Sequence, residues 1–80
     1  IVYLRLFTPD AGRSWHLTEG SPEGNDFIFF GLVEGHEKEL GYVSLSELQK
    51  VRGPLGLPIE RDLHFTPARL KDIAPEMFED

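Results

Sequence analysis

The chain has no cysteine, one methionine and one tryptophan in 80 residues. Without cysteine, no disulfide or thiolate metal site can hold it together. Its stability must then come from one small hydrophobic core in a single domain. That absence suits a reducing compartment, and the cytoplasm is the expected location. Long apolar runs are missing too. No stretch approaches the ~20 residues a membrane-spanning helix needs, and no basic segment followed by an apolar one marks a secretory leader. Cations are scarce, with eight Lys and Arg against fourteen Asp and Glu and a net charge of −6. Such a surface repels phosphate, which disfavours direct binding to DNA or RNA. It attracts a basic protein surface, including one that normally holds nucleic acid. The plainer use of the same charge is to keep a small domain in solution.

What is present is well-patterned secondary structure. The most consistent stretch is Leu40 to Phe65. Gly41-Tyr42-Val43 ends a strand. Ser44-Leu45-Ser46-Glu47 has the form of a capping box, and Val43 and Leu48 suit a hydrophobic staple. Leu45, Leu48 and Val51 recur at helical spacing, which predicts a helix over 45–52. Lys50 and Arg52 fall in its last turn. Gly53 is expected as the left-handed residue that ends the helix, with Pro54 forbidding continuation. Pro54 to Pro58 then reads as an extended connector.

Earlier in the chain, Val2–Phe7 and Arg13–Glu19 alternate as strands, separated by a turn at Thr8-Pro9-Asp10-Ala11-Gly12. Trp15 and Leu17 share one face of the second strand; Ser14, His16 and Thr18 share the other. Gly20 to Asn25 reads as a polar loop. Phe27–Val33 is apolar on both faces and is expected as the central strand, with Gly31 marking a bulge or a close backbone approach. After the connector, Ile59, Arg61, Leu63 and Phe65 alternate with Glu60, Asp62 and His64, which predicts a fifth strand with Arg61 as an inward clamp. Thr66-Pro67 reads as a cap and first residue of a short helix carrying Leu70 and Ile73. Pro75 to Asp80 reads as an acidic tail with Met77 and Phe78 as docking residues. The expected fold is α+β: an antiparallel meander of about five strands, one well-capped helix on one face, and a short C-terminal helix.

Motifs for catalysis are thin. His16, His36 and His64 are far apart, without metal-ligand spacing. No serine sits in a nucleophile elbow, and no phosphate loop of the Walker type appears. Gly53-Pro54-Leu55-Gly56 has the letters of a phosphate-gripping loop but lacks its donors and charge. No catalytic residue, cofactor or metal is expected. The candidate residues are instead those of a contact surface. Glu19, Glu23, Asp26, Glu34, Glu37 and Glu39 crowd the loops of the first half, and Tyr42 and Trp15 are the aromatic anchors an interface would use.

Three blocks carry a resemblance. They are Leu6-Phe7-Thr8-Pro9-Asp10-Ala11-Gly12, then Glu39 to Leu48, then Val51 to Phe65. Together they resemble a bacterial domain-of-unknown-function family common on plasmids, conjugative elements and phages. Members usually carry a further segment before the first strand, and this sequence reads as a short standalone copy. The resemblance implies the company of mobile DNA and assigns no catalytic residue. A small acidic protein in that setting is similar in kind to anti-CRISPR proteins. The implied partner is a subunit of a type I, in particular type I-C, surveillance complex whose basic DNA path the protein would cover. The competing classes are a non-inhibitory accessory protein-interaction domain of plasmid-encoded proteins and, third, an enzyme.

Overall fold

The computed structural model describes residues 1–78. Its elements are β1 (Leu4–Phe7), β2 (Ser14–Glu23), β3 (Asp26–Glu34), β4 (Lys38–Ser44), α1 (Leu45–Lys50), β5 (Glu60–Arg61), α2 (Leu70–Ile73) and a 3-10 turn at Pro75–Met77. The five strands form one antiparallel sheet in the order β4-β3-β2-β1-β5, so the class is α+β. Glu79 and Asp80, part of the expected acidic tail, lie outside the described residues.

The first four strands follow each other as hairpins, as alternation predicts. The middle of the sheet is β2, however, and not Phe27–Val33. Strand β5 returns from far along the chain to pair with β1, Leu6 opposite Arg61 and Phe7 opposite Glu60. That long-range pairing moves the centre one strand over. The expected polar loop Gly20–Asn25 is mostly strand: β2 runs to Glu23, opposite Asp26, and only Gly24-Asn25 turns. Beyond Leu17, β2 has no partner residue on β1, so the missing N–H of Pro22 costs no pairing on that side.

The sheet has two differently covered faces. On one, Trp15, Leu17 and Leu48 are buried together, with Leu4, Leu6, Phe29, Val33, Val43, Val51 and Ile59 packed around them. Helix α1 supplies Leu48. The other face carries buried His16 and Leu32. The segment after β5 folds over it: the Phe65 ring lies 6.3 Å from His16, Val2 pairs with Ala68, and Glu76 bonds Lys38.

At the bulge, Leu17 faces Gly31 and Glu19 faces Phe30, leaving Thr18 as the extra residue. The Thr18 hydroxyl donates to the Phe30 carbonyl at 3.0 Å. A Cβ on Gly31 would overlap the His16 carbonyl, so the strands approach there as glycine alone permits.

Several local expectations are corrected. Helix α1 ends at Lys50, with Val51 in extended conformation as its C-cap. Its N-terminus is held by Ser44, whose hydroxyl accepts from the Glu47 N–H at 3.1 Å. Gly53 is not left-handed; its role lies in contact. The Asp10 carboxylate sits against it and accepts from the Leu55 N–H at 2.7 Å, and a Cβ on Gly53 would overlap that carboxylate. Arg61 is exposed and clamps nothing inward. Asp62 does that work: it takes the Arg5 guanidinium at 3.1 Å and the His64 N–H at 3.0 Å. This second bond turns the chain and ends β5 after two residues. Thr66 is not a cap, since α2 begins at Leu70 behind Arg69. Among the described residues, no helix is long and apolar enough to cross a membrane.

Candidate functional site

Strict alternation along β2 would put Glu19 beside Trp15 and Leu17, on the face that α1 covers. The extra residue at Thr18 reverses this, because one inserted residue turns every later side chain to the opposite face. Glu19 therefore lies opposite Phe30, on the face away from α1. Strand β4 has no bulge, and its alternation places Leu40 and Tyr42 on that same face. Glu19, Ser21, Ile28, Phe30 and Tyr42 line a shallow hollow of about 280 Å³. Tyr42 is 72% exposed and meets Phe30 edge-on at 5.0 Å between ring centroids. Leu40 is 41% exposed beside them. Two of the residues singled out from sequence, Glu19 and Tyr42, are thus brought together.

The other candidates divide. Trp15 is a core residue, 3% exposed with Arg13 over its ring, and is unavailable to a partner. Asp26 is committed within the chain. Its carboxylate accepts from the Ser46 N–H at 3.1 Å, the Ser46 hydroxyl at 2.6 Å and the Phe27 N–H at 2.8 Å. These bonds hold its pKa below the usual carboxylate value and tie the β2–β3 hairpin to the first turn of α1. Glu34 is half-buried between His16 at 3.7 Å and Lys38 at 3.9 Å. Glu23 stands exposed at the hairpin tip.

Glu37 and Glu39 lie at the opposite end of the sheet. They line an open hollow of about 620 Å³ with Arg13, His36, Gly12 and Val33. Neither forms an ion pair among the described residues, and neither does Glu19. From Asp26 to Glu34 is eight strand rises, about 27 Å. That exceeds the ~8 Å screening length at physiological salt. The carboxylates at the two ends of the sheet, Glu23 at one and Glu37 and Glu39 at the other, therefore act separately, and Glu19, opposite Phe30, lies between them, about 10 Å along the sheet from Glu39.

Two further features stand near the sheet. An apolar cleft of about 350 Å³ runs between α1, β1 and the connector, lined by Leu4, Leu6, Phe29, Leu45, Leu48 and Ile59. Under the C-terminal segment, both ring nitrogens of His16 are buried without a hydrogen bond. Burial lowers the His16 pKa against the opposing pull of Glu34, with Arg5 and Lys38 adding to the lowering. Among the described residues, no three His, Asp or Glu side chains cluster as metal ligands.

Residues 2–73 match the family model described as Protein of unknown function (DUF2958). The chain belongs to this family. The match spans all five strands and both α-helices, and stops short of the Pro75–Met77 turn. The Tyr42 surface of this DUF2958 domain therefore lies inside the matched part, while Glu76 and the 47% exposed Phe78 lie outside it. No curated protein and no solved structure matches the chain.

Sequence reasoning missed the exposed Leu40 and the half-buried Phe30 as parts of this surface, although the period-two pattern of β4 does put Leu40 beside Tyr42. The position of Glu19 had no local signal, because nothing in Leu17-Thr18-Glu19 marks the extra residue.

Proposed function

We propose that this protein is a protein-docking module that binds a basic partner surface, and that the partner is a nucleic-acid-binding defence complex of the type I CRISPR class. Occupying the complex's DNA path would make the protein an inhibitor of target-DNA binding, acting in a host cytoplasm. In this reading it catalyses nothing and takes no cofactor. The observation that carries the reading is the Thr18 bulge, which puts the Glu19 carboxylate, without an ion pair among the described residues, opposite the half-buried Phe30 ring and in one hollow with the exposed Tyr42 ring. A carboxylate next to an aromatic face suits an arginine or lysine side chain, through ion pairing and cation–π attraction together. Glu37 and Glu39 add long-range attraction that speeds encounter with a basic surface.

The test mixes purified type I surveillance complex, target DNA and this protein, and reads DNA binding by gel shift. Wild-type protein is expected to abolish the shifted band at saturation. Glu19→Lys combined with Glu37→Lys and Glu39→Lys is expected to fold normally and restore the band. Undiminished DNA binding at saturating wild-type protein refutes the inhibitor reading.

A further inference from the structure

The sheet has two edges. Strand β5 is only two residues long, whereas β4 is seven residues long and pairs with β3 through every residue from Lys38 to Ser44. In an edge strand, alternate residues turn both N–H and C=O outward. Natural proteins usually block such an edge with proline, a bulge, a covering loop or repeated charge. Along β4 there is no proline and no register shift. Among the described residues, Lys38 is the one cation on it, and Glu34 and Glu76 both hold that cation. The strand instead presents Leu40 and Tyr42 on one face and Glu39 on the other.

Resting on the proposed docking function, we infer that the partner contributes an extended basic segment that adds to β4 as a sixth strand. Main-chain bonds to the outward groups of β4 supply affinity, and alternate side chains supply selectivity. Residues of the added strand on one face meet Leu40 and Tyr42, which favours apolar or aromatic side chains there. Residues on the other face meet Glu39, with Glu37 just before the strand, which favours lysine or arginine. Charge chooses between the possible occupants. A second copy of this chain brings another net charge of −6 to the same edge. A basic segment brings the opposite sign to unpaired carboxylates.

The probe is a capped seven-residue peptide alternating lysine and valine, titrated into ¹⁵N-labelled protein at low salt. The largest chemical-shift changes are expected at residues 38–44, with slowed exchange of alternate β4 amides and loss of binding at high salt. Leu40→Pro and Gly41→Pro supply the control. One of the two removes an outward N–H and keeps the fold, while the other breaks a bond to β3 and destabilises it. The variant that melts like wild type is expected to lose the β4 shifts. Four outcomes overturn the inference: no peptide binding, shifts centred away from β4, full binding by the folded proline variant, or a dimer of the free protein with β4 already protected. The gel shift separates this from the function itself. If the folded proline variant still blocks DNA binding, strand addition falls and the docking function stands. If wild type fails to block DNA, the inhibitor function falls, whatever the peptide does.

Discussion

The contact between Asp10 and Gly53 joins the β1–β2 turn to the connector after α1, and it can be measured as a coupling. Gly53 has no positive φ, so alanine suits its backbone; the three atoms nearest to a Cβ there all belong to the Asp10 carboxylate, which it would overlap. In the wild-type background, Gly53→Ala must expel that carboxylate. It loses the bond to the Leu55 N–H, a charge-assisted bond worth about 1.5–3 kcal/mol. Crowding adds about 1–3 kcal/mol, less whatever the turn recovers by moving. The expected cost is about 2–4 kcal/mol, since the two losses overlap. Asp10→Ala alone loses the bond and is expected to cost about 1.5 kcal/mol, at the low end because water reaches the freed N–H. In the Asp10→Ala background the obstacle is gone. Gly53→Ala is then expected to be neutral, or stabilising by about 0.5 kcal/mol through a stiffer unfolded chain. Urea denaturation of the four proteins closes the cycle, with an interaction energy of about 2 kcal/mol or more. Costs that add within about 0.5 kcal/mol would refute the contact. So would a Gly53→Ala variant as stable as wild type.

Other outcomes follow from the same contacts. Leu48→Ala empties the one buried side chain of α1 and is expected to cost about 2–4 kcal/mol in a urea melt. Ser44→Ala loses the N-cap bond and is expected to cost about 1 kcal/mol. His16 is held below the ordinary histidine pKa of 6.5, chiefly by burial. The unfolded chain therefore binds its proton first, so stability is full above pH 6.5 and falls as pH drops below it towards the folded value. A His16→Phe variant is expected to lose that part of the pH slope in melts from pH 7.5 to 5; an unchanged slope would count against buried His16 as its source. Tyr42→Ala is expected to leave stability within about 0.5 kcal/mol of wild type and to weaken partner binding, measured by calorimetry against the purified surveillance complex.

By itself, the sequence determined the local elements. Alternation in Leu4–Phe7 and Ser14–Leu17 specifies strands, Ser44 specifies the start of α1, and the acidic composition specifies the sign of the surface field. Gly31 announced a bulge or a close backbone approach, and both occur where it faces Leu17. These features depend on neighbours within a few residues, so they can be read in order along the chain. The tertiary structure decided the rest. Pairing of β5 with β1 made β2 the central strand. The extra residue at Thr18 turned Glu19 from the core face to the side of Tyr42. Packing buried Trp15, and hydrogen bonding committed Asp26 to α1 and Asp10 to the connector. In each case a deciding partner lies about 10 to 55 residues away in sequence. The same carboxylate or aromatic ring can be a surface contact or an internal support, and only the atoms that fold against it decide which.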